Sequence, residues 1–178
     1  MRPPFDAPTE SDVAAVSEHL QRPARGVLGI AARARSGEPT VVATAPRLDD
    51  GTPFPTLYYL SHPVLTGAVS TLEADGTMAE LQQKLHDDLE LQRGYAAAHE
   101  AFLADRATLG EVPEIAGVSS GGMPERVKCL HAVVAHSLAT GPGLNPIGDL
   151  AIGLLLARFD DVVPYIPDSF EPVASDEV

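Results

Sequence analysis

The chain has 178 residues, 44% of them hydrophobic and 21% charged, which suits one soluble globular domain with a sizeable core. One cysteine excludes an internal disulfide framework and fits a reducing cytoplasm, and no apolar run approaches the ~18 residues of a membrane span. A net charge of −13 argues against a general nucleic-acid binder, which needs a basic face.

The acidity is uneven. Residues 1–60 hold 6 Lys/Arg against 7 Asp/Glu, residues 61–120 hold 3 against 10, and residues 121–178 hold 3 against 8. The near-neutral first third, with Arg22, Arg25, Arg33, Arg35 and Arg47, leaves room for a local anion site beside the plainer reading of solvated arginines.

Residues 1–8 read as a flexible leader, and their prolines and acids do not compose a signal peptide. Residues 9–20 read as a helix: Thr9 and Asp12 resemble a capping pair, Val13, Val16 and Leu20 form an apolar stripe, and Arg22-Pro23 ends it. Residues 26–34 and 40–45 are strand candidates around the turn Ser36-Gly37-Glu38-Pro39, and residues 56–60 (TLYYL) are a third. Short connections between them predict an antiparallel sheet covered by helices on one face.

From Pro63 the period becomes helical. Leu65, Val69 and Leu72 point inward before Gly76; Thr77 and Glu80 resemble a capping box; Asp87 with Glu90 marks another helix start. Leu91, Tyr95, Ala98 and Phe102 follow as a packing seam, and residues 110–122 form a loop. Pro124 suits a first helical position, so a helix is expected from there, with Val127, Leu130, Val134 and Leu138 facing the core. Asn145 followed by Pro146 predicts a last helix over 147–158. The expected fold class is α+β: a single domain over 9–158, a small N-terminal antiparallel sheet of about three strands packed by a helical majority, and an acidic proline-containing tail over 159–178.

Residues 121–149 gather the only cysteine, Cys129, with His131, His136, Arg126 and Lys128. Cys-x-His-x4-His suggests a metal box, but on one continuous helix Cys129 and His131 diverge by about 200°, and Cys129 and His136 sit about 10 Å apart along the axis. No metal and no cofactor is therefore expected. A Cys129 nucleophile is disfavoured on the same geometry, since a mid-helix thiol lacks a helix N-terminus to activate it. Phosphate-loop, dinucleotide, nucleophile-elbow and His-Glu-x-x-His signatures are absent.

Anion binding is the better physical case. The Gly121-Gly122-Met123 and Gly143-Leu144-Asn145 segments lead into helices, whose free N–H groups take phosphate or carboxylate, and the alternative is that these residues only punctuate helices. The candidate ligand-binding residues are Arg22, Arg25, Arg126, Lys128, His131 and Asn145.

Residues 22–27 (RPARGV), 37–63 (GEPTVVATAPRLDDGTPFPTLYYLSHP) and 121–149 (GGMPERVKCLHAVVAHSLATGPGLNPIGD) together resemble the bacterial family called domain of unknown function 501, over about 11–156. The resemblance implies no established activity. It implies a cytoplasmic setting, because genes of that family commonly neighbour those for a septum-formation initiator, enolase and an exopolyphosphatase. Relatives often carry cysteine in an Arg-Cys-x-x-Gly pattern where this chain has Ala34, so a cysteine-metal site would lack that ligand here. Two functions stay open: a cytoplasmic module binding an anionic, phosphorylated small ligand, or a non-catalytic partner of a protein of cell division or polyphosphate metabolism.

Overall fold

The structure, a computed structural model, describes residues 1–170. Helix α1 (Glu10–His19) starts at Thr9, whose hydroxyl accepts from the Asp12 N–H while Asp12 accepts from the Thr9 N–H, the reciprocal cap that the sequence predicts. Strands β1 (Val27–Arg33), β2 (Pro39–Thr44) and β3 (Tyr58–Leu60) form one antiparallel sheet in the order β1-β2-β3. Every residue of β2 is buried, as befits a central strand covered on both faces.

Helices α2 (Pro63–Ala74), α3 (Thr77–Asp87), α4 (Leu89–Ala107), α5 (Leu130–Thr140) and α6 (Pro146–Arg158) make up the helical majority, so the fold is α+β. Helix α5 is the hub: it packs on β3, α2 and α6, and Leu130, Val133, Val134 and Ala135 are wholly buried. Tyr95, Ala98 and Phe102 of α4 are buried too, the seam read from their spacing. Among the described residues no helix is long and apolar enough to cross a membrane.

Several expectations need correction. Gly76, at φ +88°, is the N-cap of α3, so Thr77 is already helical and buried and forms no capping box. The α5 helix does not begin at Pro124. Gly121 and Gly122, at φ +72° and +94°, fold the chain back so that the Lys128 N–H donates to the Gly121 carbonyl (2.8 Å) and the Arg126 N–H to the Gly122 carbonyl (2.9 Å). Local pairing thereby satisfies this stretch without a helix, and Cys129 becomes an extended N-cap (φ −154°, ψ 113°) with Leu130 as the first helical residue.

The segment read as a leader is packed. Arg2 forks onto Asp105, Phe5 meets the Tyr58 ring edge-on at 6.1 Å, and the Ile30 N–H donates to the Asp6 carbonyl. Gly29 permits this crossing, since a Cβ there would lie 2.3 Å from that of Phe5. Of the segment read as a tail, Val162 and Ile166 are buried within and beside a 3₁₀ turn, Asp160–Tyr165. Its remainder, 171–178, lies outside the described residues.

Candidate functional site

A cleft of about 500 Å³ opens where β3, the C-terminal end of α1 and the start of α5 meet, with Tyr58, Tyr59, Leu60 and Ser61 along one side and Cys129, His131 and His19 around it. A smaller hollow of about 200 Å³ adjoins it, floored by Val27, Val42, Leu48, Phe54 and Tyr59 and edged by Arg22 and Arg25. Leu20 and Tyr59 line both, so the two are neighbours on one face of the protein.

At the α5 end the extended Cys129 brings its thiol back toward the side chain of His131, which an unbroken helix would not. Cys129 Sγ, a ring nitrogen of His131 and a carboxylate oxygen of Glu73 all lie within 4.8 Å of one another. Glu73 Oε1 faces His131 Nδ1 at 3.2 Å and accepts from the Leu130 N–H at 2.6 Å, so a carboxylate from α2 already caps α5. His131 Nε2 lies 3.2 Å from the Thr66 carbonyl and 3.3 Å from Ser70 Oγ. Hydrogen bonding to Cys129, and then to Glu73, pushes His131 up to about 9 against the opposing effect of burial.

A second cluster involves His19, Glu38 and His62. Nε2 of His19 is 3.0 Å from Glu38 Oε1, and Nε2 of His62 is 3.5 Å from Glu38 Oε2. The two rings meet edge-on at 4.7 Å, and both Nδ1 atoms are buried without a partner among the described residues. Burial, with His19 nearby, lowers the His62 pKa, opposed by Glu38.

The residues expected to bind a ligand do not converge. Arg22 and Arg25 are exposed at the rim of the smaller hollow and His131 lines the larger cleft, whereas Arg126 and Lys128 are exposed in the folded-back 121–129 segment and line neither. Asn145 is wholly buried: its Oδ1 caps the Gly148 N–H (3.0 Å) and its Nδ2 lies 3.1 Å from His136 Nδ1. The two helix starts are likewise occupied by the chain's own acceptors, Glu73 at α5 and Asn145 with Asp149 at α6, where Asp149 Oδ2 accepts from the Gly143 N–H at 2.7 Å. The geometric objection to a metal also fails, because Cys129 and His131 are not on one continuous helix. Sequence reasoning missed Glu73, His19, Glu38 and His62. These come from elements distant in the chain, and no local spacing joins them.

The chain is thus a small α+β protein with two neighbouring hollows, one edged by arginines and the other by a thiol and an imidazole that a carboxylate approaches. Residues 30–153 match the family described as Protein of unknown function (DUF501), and the chain belongs to that family. The matched span includes Glu38, His62, Glu73, Cys129 and His131 but not His19, Arg22 or Arg25. None of the curated proteins and none of the solved structures matches the chain.

Proposed function

We propose that the protein is a binding module for an anionic, phosphate-bearing small ligand, gripped by Arg22 and Arg25 at the smaller hollow. The observation that carries this reading is selective pairing. Arg33, Arg35 and Arg47 are tied to Asp12, Asp168 and Glu114 at 2.5–2.7 Å, whereas Arg22 and Arg25 form no salt bridge among the described residues and edge the same apolar hollow. Planar guanidinium forks suit phosphate oxygens, and the floor of Val27, Val42, Phe54 and Tyr59 suits an apolar or aromatic body attached to them. Asp50 is the local competitor, since Arg25 is among the groups that lower its pKa, after its hydrogen bonds with Thr52.

Thermal melts with inorganic phosphate, pyrophosphate, short polyphosphate and nucleotides test the reading. A ligand at 100 times its Kd stabilises the fold by about 2.7 kcal/mol. The shift is expected to vanish in Arg22→Ala/Arg25→Ala and to grow in Asp50→Asn, which keeps the Oδ1 that caps Thr52 but removes the competing charge. No shift with any of these ligands, or one unchanged in the double variant, rejects it. A second reading, a non-catalytic protein partner in cell division or polyphosphate metabolism, draws on a groove of about 870 Å³ between α3, α4 and α6, lined by Leu81, Leu91, Leu150 and Leu154. Its test is a partner whose capture is lost in Leu150→Asp.

A further inference from the structure

We infer that Cys129, His131 and Glu73 form a divalent-metal site of zinc type, its open coordination position facing the cleft. This goes beyond the anion reading and does not rest on it. Three observations carry it. The donor set is first: a thiol, an imidazole and a carboxylate with ligand atoms within 4.8 Å of one another, and thiolate with imidazole is the pairing that zinc favours over harder ions. The spacing is second. Ligands about 2.0–2.2 Å from a tetrahedral ion stand roughly 3.3 Å apart, and Glu73 Oε1 and His131 Nδ1 are 3.2 Å apart with nothing between them to be displaced but a proton.

The third observation is the outer shell. A metal-bound histidine donates its other N–H to a carbonyl or carboxylate, which fixes the tautomer. Here Nε2 of His131 sits on the Thr66 carbonyl, so a metal that displaces the proton between Nδ1 and Glu73 meets an Nδ1 lone pair aimed at the carboxylate, and the Leu130 N–H holds that carboxylate in place. The His19/Glu38/His62 cluster lacks that support. With both Nε2 atoms turned to Glu38, both Nδ1 atoms are buried with no acceptor among the described residues to receive a proton. The competing role for Glu73 and His131, a plain ion pair capping α5, does not call for the thiol of Cys129 beside them.

Cys129 and His131 both line the cleft, so three protein ligands leave the fourth position to water or to a bound molecule. An ion there places a positive charge in the cleft next to the hollow that Arg22 and Arg25 edge.

Cobalt(II) titrated into chelator-treated full-length protein is the deciding experiment. Cys129 is the only thiol, so a thiolate-to-cobalt charge-transfer band saturating at one ion per chain assigns the site without any variant. Zinc is expected to displace the cobalt and bleach the band. Competition with a chromophoric chelator is expected to show zinc affinity falling at least about 100-fold in Cys129→Ser and His131→Gln and staying unchanged in Glu38→Gln. Absence of the band, binding well below one ion per chain, zinc affinity that survives Cys129→Ser, or affinity lost in Glu38→Gln each overturns the assignment. No phosphate ligand is present in these titrations, so this inference and the anion reading fail separately.

Discussion

His136 lies wholly buried beneath the sheet, stacked on Tyr58 at 5.4 Å and edge-on to Phe102 at 5.4 Å, with no hydrogen-bond partner for Nε2 among the described residues. Burial lowers its pKa from 6.5 to about 4. The folded state therefore holds it neutral, while the unfolded chain takes up the proton as soon as the pH falls below 6.5. Its contribution to stability is complete above that value and is lost progressively as the pH drops toward 4, on the order of 3 kcal/mol over the whole window. About 2 kcal/mol of this should be gone by pH 5. Urea melts at pH 7.5 and pH 5 check it: His136→Phe should lose about that much less than wild type between the two, and equal losses would contradict the buried neutral form. The sequence reading set Cys129, His131 and His136 around and along a single helix. That followed from carrying one helix back through residues 124–129, and it hid the thiol–imidazole approach.

At the level of elements, most starts were legible because they obey local rules. Thr9 and Asn145 cap α1 and α6 with their side chains, and Asp88, one residue after the expected Asp87, caps α4 by accepting from the Glu90 and Leu91 N–H groups. Pro124 with Glu125 obeys the same rules and still does not start a helix, because the paired glycines before it and Gln82, which accepts from the Val127 N–H at 2.9 Å, capture the backbone first. The α5 start is thus held by tertiary contacts that no window of sequence contains. A Cβ on Gly122 would lie 2.5 Å from the Arg126 carbonyl oxygen at a positive φ. Gly122→Ala should therefore destabilise by about 1–3 kcal/mol and displace Cys129 as well. Leu130→Asp, which buries an unpaired carboxylate, should cost several kcal/mol, while the exposed Lys128→Ala should leave the melt unchanged. Thermal melts in which Gly122→Ala matches Lys128→Ala would mean that the fold-back is not what positions this end of the cleft.

Over the whole molecule, what sequence reading lost was the ends, since proline and acid content says nothing of what a segment docks against. Tyr165, in the stretch read as a tail, packs on His62 at 4.0 Å, and Arg2, in the stretch read as a leader, meets Asp105. Asp105 is the tie between layers. It projects from α4, accepts the Tyr58 hydroxyl of β3 at 2.7 Å, and receives the Arg2 fork at 2.7–3.0 Å. Burial first, and then Asp105, drives the Tyr58 pKa well up, so its hydroxyl stays a donor at any ordinary pH. Asp105→Ala leaves that buried hydroxyl without an acceptor, about 1–3 kcal/mol, and also frees Arg2, whose side chain is 46% exposed and whose ion pair adds at most about 1 kcal/mol. The expected loss is about 1–4 kcal/mol by denaturant titration, against about 1 kcal/mol for Tyr58→Phe, which leaves Asp105 its arginine. In the double variant Tyr58→Phe/Asp105→Ala the orphaned hydroxyl is gone, so the losses should fall short of their sum by roughly 1 kcal/mol. Strict additivity would show that the two side chains, and the layers that they join, are held independently.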